Sequence, residues 1–420
     1  MSTKLTGSDE SLKAAFEALK TIDDVARLLD VDVKVLRFFI YKKQNYTTFQ
    51  IRKRSGGERT ISTPQSSLKL IQRKLNQVLH AVYKRREPVH GFVRSRSIRT
   101  NATKHLNRNH VLTMDLEDFF PSIHFGRVKG LFQSWPCNLP EPVALVLAQI
   151  CCYEKKLPIG APTSPMIANM ICAKMDSELK TIALRHDCTY TRYADDITFS
   201  TRSASFPREI TYRDPNSAHW LIGVELSEIV CRNSFAINAS KVRVLSRGRS
   251  CQEVTGLVTN VRLNVKREYI RQVRATLHLW RMRGEEAAAQ EFFAKHDRKQ
   301  RATQVVDFSR VVRGKIDFIG HIRGRDDFLF IRLLDKYLKL DKDGRFQTIT
   351  ITPGARTDIV AEAIWLLETE DGEERYNGTA FAFKGYGLIT ARHNIKGRTI
   401  ASRPHAKLGS TEEFEVHLVS

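Results

Sequence analysis

Two adjacent aspartates stand near the middle of the chain, in the segment TRYADDITFS (191–200). Asp195 and Asp196 lie between a tyrosine and a run of strand-forming residues. Like charges in a half-buried segment repel each other, and each carboxylate is costly to remove from water. The pair is therefore either a solvated turn without a role or part of a site that binds a cation.

A third aspartate, Asp115, ends a predicted strand in the segment HVLTMDLEDFF (110–120). If this strand pairs with the one after the aspartate pair, the turn at 194–196 brings Asp195 beside Asp115. Such a cluster would favour divalent cations, because Mg²⁺ prefers oxygen ligands completed by water and substrate phosphate. Two ions about 4 Å apart would activate an attacking 3′-hydroxyl and stabilise a leaving pyrophosphate.

The elements that must position these acids follow from periodicity and turn residues. Helical spacing predicts short helices in residues 1–50, and a Gly-Gly turn predicts a β-hairpin over 52–63. An amphipathic helix follows Pro64, a Pro/Gly loop spans 157–165, and two β-rich runs flank the aspartate pair. The pattern of residues 264–340 is helical and basic, and the sequence beyond Asp341 has a β-like pattern.

Charge is distributed unevenly along the 420 residues. Lys and Arg number 68 against 46 Asp and Glu, a net charge of +22. Residues 341–420 hold 10 basic and 12 acidic residues, so the first 340 carry 58 and 34. We expect a polyanion, nucleic acid above all, to bind the first part, the alternative being a basic surface without a specific partner.

Cysteine usage and hydropathy bear on location. Seven cysteines without a CxxC spacing indicate reduced thiols rather than a disulfide framework. The longest apolar stretch, PVALVLAQICC (142–152), is too short to span a bilayer, and the N-terminus lacks a signal-peptide core. We predict a cytoplasmic protein that does not interact with a membrane.

The order of the motifs resembles the palm of reverse transcriptases: Asp115 with Phe119-Phe120, then LPIGAPTSP, then YADD, then INASK. The resemblance implies an RNA-directed DNA polymerase that uses two Mg²⁺ ions and dNTPs. By resemblance, Asp115 and Asp195 hold both metals, the Leu116 carbonyl assists, and Asp196 supports the pair. Phe120 matches the gate that excludes a ribose 2′-hydroxyl, although an ordinary core phenylalanine is the alternative.

The same resemblance extends to the nucleotide. Arg52, Lys53 and Arg59 flank the Gly-Gly turn and match the hairpin that holds the incoming triphosphate, although a charged hairpin can also be a solvated edge. Lys241 matches a lysine near the leaving pyrophosphate and would be a general acid, unless it is a surface lysine. Ile159 is a departure, because many members have Gln there, and it leaves nucleotide discrimination in doubt.

Two further motifs resemble those of retron reverse transcriptases: Asn101-Ala102-x-x-His105 (NAxxH) and Val254-Thr255-Gly256 (VTG). The alternatives are a satisfied buried histidine and a plain strand turn. The resemblance, over roughly residues 35–335, implies a cognate structured noncoding RNA that is partly copied into branched msDNA from a guanosine 2′-hydroxyl, in anti-phage defence. The predicted RNA-binding residues are those of both motifs and the helical row Arg267, Arg271 and Arg274.

The segment GTAFAFKGYGLITARHNIKG (378–397) resembles the start of a trypsin-like serine protease, with His393 at the position of the general base. Only 27 residues follow it, without a GxSGG-like box, so the triad is incomplete. A coincidental hairpin is the alternative.

These patterns predict an α+β right-hand polymerase: an N-terminal helical region (1–50), fingers and palm with an antiparallel sheet (51–255), a basic helical thumb (256–340) and an incomplete protease-like segment (341–420). An oligomer held with its nucleic acid fits this class. Two other functions stay open, a group II intron-like or diversity-generating reverse transcriptase and a non-catalytic RNA-binding scaffold.

Overall fold

A computed structural model describes residues 4–41, 46–52, 56–217, 219–296 and 307–341, and five strands between 364 and 416. The chain separates into two compact units, residues 1–266 and 267–420. The predicted boundary between palm and thumb, after residue 255, falls inside a hairpin turn of the first unit.

Three short helices open the chain. They are α1 (Asp9–Glu17), α2 (Ile22–Leu28) and α3 (Val33–Tyr41). Ser8 and Thr21 cap the first two, each accepting a hydrogen bond from a backbone N–H of the first turn. The predicted helical region ends earlier than residue 50, because the β-branched segment from Tyr46 pairs as a strand.

The predicted hairpin is confirmed and is longer than expected. Strands β1 (Tyr46–Arg52) and β2 (Glu58–Pro64) pair antiparallel, with Phe49 opposite Ile61. Gly56 and Gly57 both have positive φ, which glycine adopts without steric cost. Both strands are largely exposed, so this hairpin is a projecting element rather than part of the core.

Fifteen further helices and strands of the first unit are described. They are α4 (Ser66–Val82), α5 (Ile98–Thr103), β3 (His110–Asp115), α6 (Phe125–Gln133), α7 (Glu141–Cys151), α8 (Ser164–Ile171), α9 (Ala173–Arg185), β4 (Cys188–Tyr193), β5 (Asp196–Thr201), β6 (Thr211–Arg213), β7 (Trp220–Ile222), α10 (Val224–Arg232), β8 (Arg243–Ser246), β9 (Glu253–Val254) and β10 (Leu257–Val258). A single 3₁₀ turn, Ala239–Lys241, precedes β8.

The centre of this unit is a four-stranded antiparallel sheet in the order β4-β5-β3-β8. Leu112 and Met114 of β3 and Ile197 and Phe199 of β5 are buried in one core cluster with residues of α4 and α6–α9. Since helices cover the sheet, apolar burial fixes the register of its strands. The acidic ends of β3 and β5 lie beside each other at one end of the sheet.

Helix α4 is the predicted amphipathic helix, and one of its charged residues, Lys74, is buried. The Lys74 side chain is fully buried, and its ammonium donates to the Asp30 carbonyl and, at 2.8 Å, to the Asp30 carboxylate. Lys74 therefore fastens α4 to the end of the N-terminal helices instead of facing solvent.

The second unit contains three helices followed by a sheet. The helices are α11 (Arg267–His296, kinked at Gly284), α12 (Phe308–Arg323) and α13 (Phe328–Leu338). Trp280 is buried in the core of these helices, with its ring centroid 5.3 Å from that of Phe308 and 5.8 Å from that of Tyr337. In the described part of the chain, none of the helices has both the length and the apolar character to cross a bilayer.

Five antiparallel strands make up the described part of the C-terminal segment, in agreement with its β-like sequence pattern. They are β11 (Ile364–Asp371), β12 (Glu374–Phe383), β13 (Gly387–Ile389), β14 (Arg398–Pro404) and β15 (Thr411–Val416). Their order is β13-β12-β11-β14-β15. His393 lies outside the described residues.

The seven cysteines are free thiols. Five are buried, namely Cys137, Cys151, Cys152, Cys172 and Cys188. Burial raises the pKa of each of these thiols, to about 11 for Cys137 and Cys188 and about 12 for Cys152 and Cys172.

Candidate active site

The two acidic strand ends meet as the sequence predicts. In the hairpin β4–β5, Tyr193 pairs with Asp196, so Ala194 and Asp195 form the turn. On the other side of β5, Asp196 lies opposite Asp115 of β3. The Leu116 N–H donates to the Asp195 carbonyl at 3.0 Å, which ties the turn to the strand that carries the third acid.

The three carboxylates repel one another strongly. Burial, a hydrogen bond with Asp115 and the charges of both neighbours raise the pKa of Asp196 to about 8. Burial and the charge of Asp115 also raise the pKa of Asp195, while Arg59 and Lys241 oppose the shift. A cation at this cluster would reverse both shifts, since opposite charge favours the ionised carboxylate.

Lys241 already supplies one positive charge to the cluster. It ends the 3₁₀ turn before β8, and its ammonium forms an ion pair with Asp115 Oδ2. Its side chain remains 45% exposed, and hydrogen bonding to Asp115 raises the pKa of the ammonium. The lysine is therefore charged and accessible beside the acids.

The donor set fits divalent ions that keep an open coordination sphere. Within the described ranges, no group of three or more carboxylate, histidine or cysteine side chains forms a ready-made metal cage. Asp115 and Asp195 are half-buried carboxylates, and Asp115 lines a surface cavity. Mg²⁺ is commonly bound this way, with one or two carboxylates and the remaining positions filled by water and substrate phosphate.

A buried ion pair holds the turn in place. Arg192 and Asp176 are both buried, and two hydrogen bonds of 2.8 Å join their side chains. Arg192 Nη1 also donates to the Ala194 carbonyl at 3.0 Å and to Asn169 Oδ1 at 3.1 Å. Because Ala194 immediately precedes Asp195, the guanidinium fixes the backbone from which the catalytic candidate projects.

Gly91 completes the support of this turn from the opposite side. A Cβ at this glycine would lie 2.5 Å from the Ala194 nitrogen and 3.1 Å from the Tyr193 carbonyl carbon. The His90 N–H donates to the Arg192 carbonyl at 2.8 Å, and Ala194 itself has φ of 59°. The turn is thus a constrained piece of backbone against which only glycine fits.

These supporting residues were not predicted from the sequence. The buried arginine precedes YADD by one residue, and the glycine lies in HGFVRS, so both are close to motifs that were recognised. Nothing in the sequence pairs Arg192 with Asp176, sixteen positions earlier in a helix. An arginine in an otherwise apolar, strand-forming run is the one signal that a buried partner exists.

The predicted nucleotide residues surround the acids in part. Arg59 lies close enough to influence Asp195, and Arg52 lies opposite Glu58 at the end of β1. Lys53 is outside the described residues. The carbonyl of Ile159 accepts a hydrogen bond from the Ser62 N–H at 2.8 Å, so the Pro/Gly loop joins the projecting hairpin.

The predicted gate, Phe120, is partly exposed and belongs to an aromatic group. Its ring lies 5.1 Å from Phe119 and 6.5 Å from Phe92, and Phe92 lies 6.4 Å from Tyr193 of YADD. Phe92 is 41% exposed, and it was not predicted as a site residue. The rings are tilted against one another, and an aromatic group of this kind can pack against a sugar or base near the acids.

A cavity of about 520 Å³ extends from the acids along β3 and β8. Asp115, Asp196 and Lys241 line one end, and Thr255 and Gly256 of the VTG motif line the other. Both of these VTG residues have positive φ, 47° and 82°, in the two-residue turn between β9 and β10. Cys251 is an exposed thiol on the same wall.

Asn101, His105 and Val254, three of the predicted RNA-binding residues, have buried side chains, and their role in RNA binding stays a prediction. His105 accepts or donates hydrogen bonds of 2.7 Å with Ser200 and Thr191. Burial lowers the pKa of this imidazole to about 3, so it is neutral. The satisfied buried histidine, the alternative interpretation of the motif, is the one found.

The predicted basic row is exposed on α11. Arg267, Arg271 and Arg274 recur at helical spacing and are accessible to solvent. Each lacks a carboxylate partner within the described residues of the chain. These guanidinium groups are therefore available to phosphates.

Residues 51–296 match the family "Reverse transcriptase (RNA-dependent DNA polymerase)". The chain belongs to the reverse transcriptase family. The match contains every acid of the cluster, the turn and second strand of the β1–β2 hairpin, and both retron-type motifs.

Several retron reverse transcriptases are similar in sequence. The Mx65 and Mx162 enzymes of Myxococcus xanthus are each 36% identical over 282 and 292 residues, which is 62% of this chain and 62% and 59% of theirs. The Ec86 enzyme of Escherichia coli is 34% identical over 265 residues, 62% of this chain and 78% of its own. The chain thus spans about three fifths of the length of the Myxococcus relatives.

Proposed function

We propose that this chain is an RNA-directed DNA polymerase of retron type. The observation that carries the proposal is the meeting of Asp115, Asp195 and Asp196 at paired strand ends beside Lys241 and Arg59. Such a cluster is unfavourable alone and is suited to polyphosphate chemistry with cations. Similarity to retron enzymes supports the same reaction.

Two Mg²⁺ ions would be held by Asp115 and Asp195, and bound there they would activate the attacking hydroxyl and stabilise the leaving pyrophosphate. The half-buried Asp196 supports the pair through its hydrogen bond with Asp115. The Arg192 and Gly91 supports keep the Asp195 backbone fixed, which preserves the alignment on which the rate of nucleotidyl transfer depends.

Lys241 is proposed as the general acid. A hydroxyl of the primer gives up its proton to water as its oxygen forms a bond to the α-phosphorus of the dNTP. The bond from that phosphorus to the bridging oxygen breaks, and the leaving pyrophosphate takes a proton from the ammonium. The raised pKa keeps Lys241 protonated at neutral pH before the transfer. Its exposed side chain allows it to exchange Asp115 for a phosphate oxygen.

The proposed template is a structured noncoding RNA, copied into branched msDNA from an internal 2′-hydroxyl and serving anti-phage defence. Support comes from the retron relatives and from the cavity that runs from the acids to the VTG turn. The exposed arginines of α11 fit phosphate binding. A cytoplasmic location and an oligomer with the nucleic acid belong to the same proposal.

The protease-like interpretation of the C-terminal segment stays a prediction. The described strands there agree with β-rich text, but His393 lies outside the described residues, so no proteolytic role is proposed.

The test compares Asp195→Asn with Lys129→Gln, a change in the ion pair that Lys129 of α6 forms with Glu141 of α7. We expect Asp195→Asn to lower Mg²⁺-dependent cDNA synthesis on a primed RNA template about a hundred- to a thousandfold, the loss seen when one electrostatic stabiliser is removed. Lys129→Gln should retain full synthesis. Unchanged synthesis by Asp195→Asn would overturn the proposal.

Sequencing the nucleic acid that copurifies with the chain tests the retron assignment. A branched RNA–DNA species is expected. Random cellular RNA, with polymerase activity intact, would instead favour a group II intron-like or diversity-generating enzyme.

A further inference from the structure

A second basic surface lies at the sheet edge opposite the catalytic cavity. The strand order places β4 at one edge and β8, which lines the cavity, at the other. Beside β4 and α9 are two adjoining hollows of about 320 and 250 Å³ that share Glu87, Pro88 and Lys180. We call this the β4-edge surface.

Positive charge dominates the β4-edge surface. Six of its lining residues are basic: Lys84, Arg85, Arg86, Lys104, Arg108 and Lys180. Glu87 is the exposed carboxylate among the lining residues, and it is already paired with Lys180 at 2.5 Å and Lys104 at 3.6 Å. Asp176, the other acid there, is buried against Arg192.

Two of these cations are not used by the fold. Arg86 donates to Ser177 at 2.8 Å, whereas the exposed Lys84 and Arg85 have no side-chain partner among the described residues. Adjacent unpaired cations on a protein surface repel each other, and a bound anion relieves that repulsion. Their position at the mouth of a hollow makes them accessible to a phosphate backbone.

A large exposed aromatic side chain completes the surface. Trp135 follows α6, lines the same hollow as Lys84 and Arg85, and is 76% exposed. Tryptophan is rarely left this exposed, because its ring is largely apolar. An aromatic face beside two adjacent cations is the arrangement that binds single-stranded nucleic acid, in which an unpaired base stacks on the ring while phosphates contact the cations.

We propose that the β4-edge surface binds a single-stranded segment of RNA outside the catalytic cavity, with one base stacked on Trp135 and phosphates on Lys84 and Arg85. The identity of that RNA as the template molecule rests on the proposed function, whereas the surface itself does not. A partly copied RNA held at both sheet edges would remain attached while its other segment moves through the cavity.

The experiment uses the full chain saturated with an unlabelled RNA–DNA primer–template, which occupies the cavity. A fluorescent 20-nucleotide single-stranded RNA is then titrated and followed by anisotropy. We expect Trp135→Ala to weaken this second binding about tenfold and Trp135→Phe to restore most of it, because stacking depends on an aromatic face. Lys84→Gln/Arg85→Gln should reduce the salt slope by about 1.4, from ~0.7 per phosphate contact on a single strand.

The matched control is Lys34→Gln/Arg37→Gln, which removes the same two charge types from exposed positions of α3. It should bind like the wild type. Polymerisation on the primer–template should be unchanged in all these variants, since none of the residues lines the catalytic cavity. This readout separates failure of the surface from failure of the proposed polymerase.

Three results would overturn the inference. The saturated wild type would fail to bind the second RNA, or Trp135→Ala and Lys84→Gln/Arg85→Gln would bind it as tightly as the wild type. The third is binding of a poly-glutamate peptide of equal length in place of RNA, which would identify an acidic protein as the partner.

Discussion

The buried charge of Arg192 positions one backbone atom, the carbonyl oxygen of Ala194. It is fully enclosed with Asp176, and its bond to the Ala194 carbonyl reaches the residue before the catalytic candidate. A hydrophobic pair of similar volume would fill the same space with equal or better stability. The ion pair therefore contributes position more than stability.

Asp176→Asn should lower the free energy of unfolding by about 3–5 kcal/mol, because it leaves a buried guanidinium without its counter-ion. The double variant Asp176→Leu/Arg192→Met should cost clearly less, yet lower the rate of DNA synthesis at least tenfold, because the turn loses its anchor. Urea denaturation and primed synthesis measure the two effects. Asp335→Asn, in an exposed ion pair, is the control and should change stability little. Equal costs for the single and double variants would contradict this account.

Gly91 allows a direct test of close packing against the turn. Gly91→Ala should destabilise the protein by about 1–3 kcal/mol, because its Cβ would overlap the Ala194 nitrogen. Gly130→Ala is the matched control: it lies in α6 with open space where the new methyl group would be, and it should stabilise by ~0.5–1 kcal/mol. Thermal unfolding of both variants checks the prediction, and two shifts of the same sign would refute it.

The acids could be predicted from the sequence because motif order alone places them at strand ends. Asp115 and Asp195 needed only the pairing of two predicted strands, which the structure has. Arg192 could not be assigned, since its partner lies in α9 and burial depends on how that helix docks. The burial of His105 could not be decided from the sequence for the same reason, because a polar residue in a basic segment resembles a surface residue until the core closes around it.

At the scale of elements, α5 and the residues after it connect the catalytic hairpin with the VTG turn. Asn101 donates to Thr255 Oγ1 at 3.5 Å, and Thr255 Oγ1 donates to the Ile98 carbonyl at 3.4 Å. His105, two residues beyond α5, bonds to Thr191 of β4 and Ser200 of β5. The NAxxH motif is thus an internal brace between the two ends of the cavity wall.

The buried His105 makes the stability of this brace depend on pH. Its pKa is about 3 in the folded protein and about 6.5 when unfolded, so the unfolded state binds more protons below pH 6.5. Stability should therefore fall as the pH falls through that window, by about 2 kcal/mol from His105 at pH 5. This contribution is absent above pH 6.5.

The measurement is urea denaturation at pH 7 and pH 5 for the wild type and His105→Gln. The difference between the two pH values should be about 2 kcal/mol smaller in the variant. His278→Gln, which removes an exposed histidine of α11, should leave the wild-type difference unchanged. The same pH difference in His105→Gln and the wild type would contradict the assignment.

The positions of helices and strands were predictable where the apolar periodicity was strong. They were less predictable where packing against distant parts of the chain determined them. The apolar stripe of α4 was evident, yet Lys74 turned inward to reach Asp30. The hairpin β1–β2 was recognised from Gly56-Gly57, but its first strand extends into a segment that was predicted to be helical. Boundaries of this kind depend on partners distant in sequence, which local propensity does not contain.

At the scale of the whole molecule, positive charge is concentrated in the first 340 residues and is absent as an excess from the last 80. The first 340 residues hold 58 basic and 34 acidic residues, and the last 80 hold 10 and 12. The basic part includes the exposed row of α11 and the β4-edge surface. Polyanion binding by the full chain should therefore depend steeply on salt.

Binding of a 20-nucleotide RNA should weaken about three hundredfold between 50 and 200 mM salt, as expected for about six phosphate contacts on a single strand. Arg271→Gln should reduce the slope of log affinity against log salt by about 0.7. Lys339→Gln, which alters an ion-paired lysine beside α13, should not. Fluorescence anisotropy over a salt series gives both slopes, and a flat series would exclude an electrostatic RNA partner.

The distribution of thiols also gives the protein a natural site for attaching a fluorescent dye. Five cysteines are buried with raised pKa values, and the thiolate is the form that reacts with maleimides. Cys231 and Cys251 are exposed, and Cys251 lies on the wall of the catalytic cavity. After Cys231→Ser, a single environment-sensitive dye on Cys251 would report entry of nucleic acid into the cavity in real time, without cysteine replacement in the core.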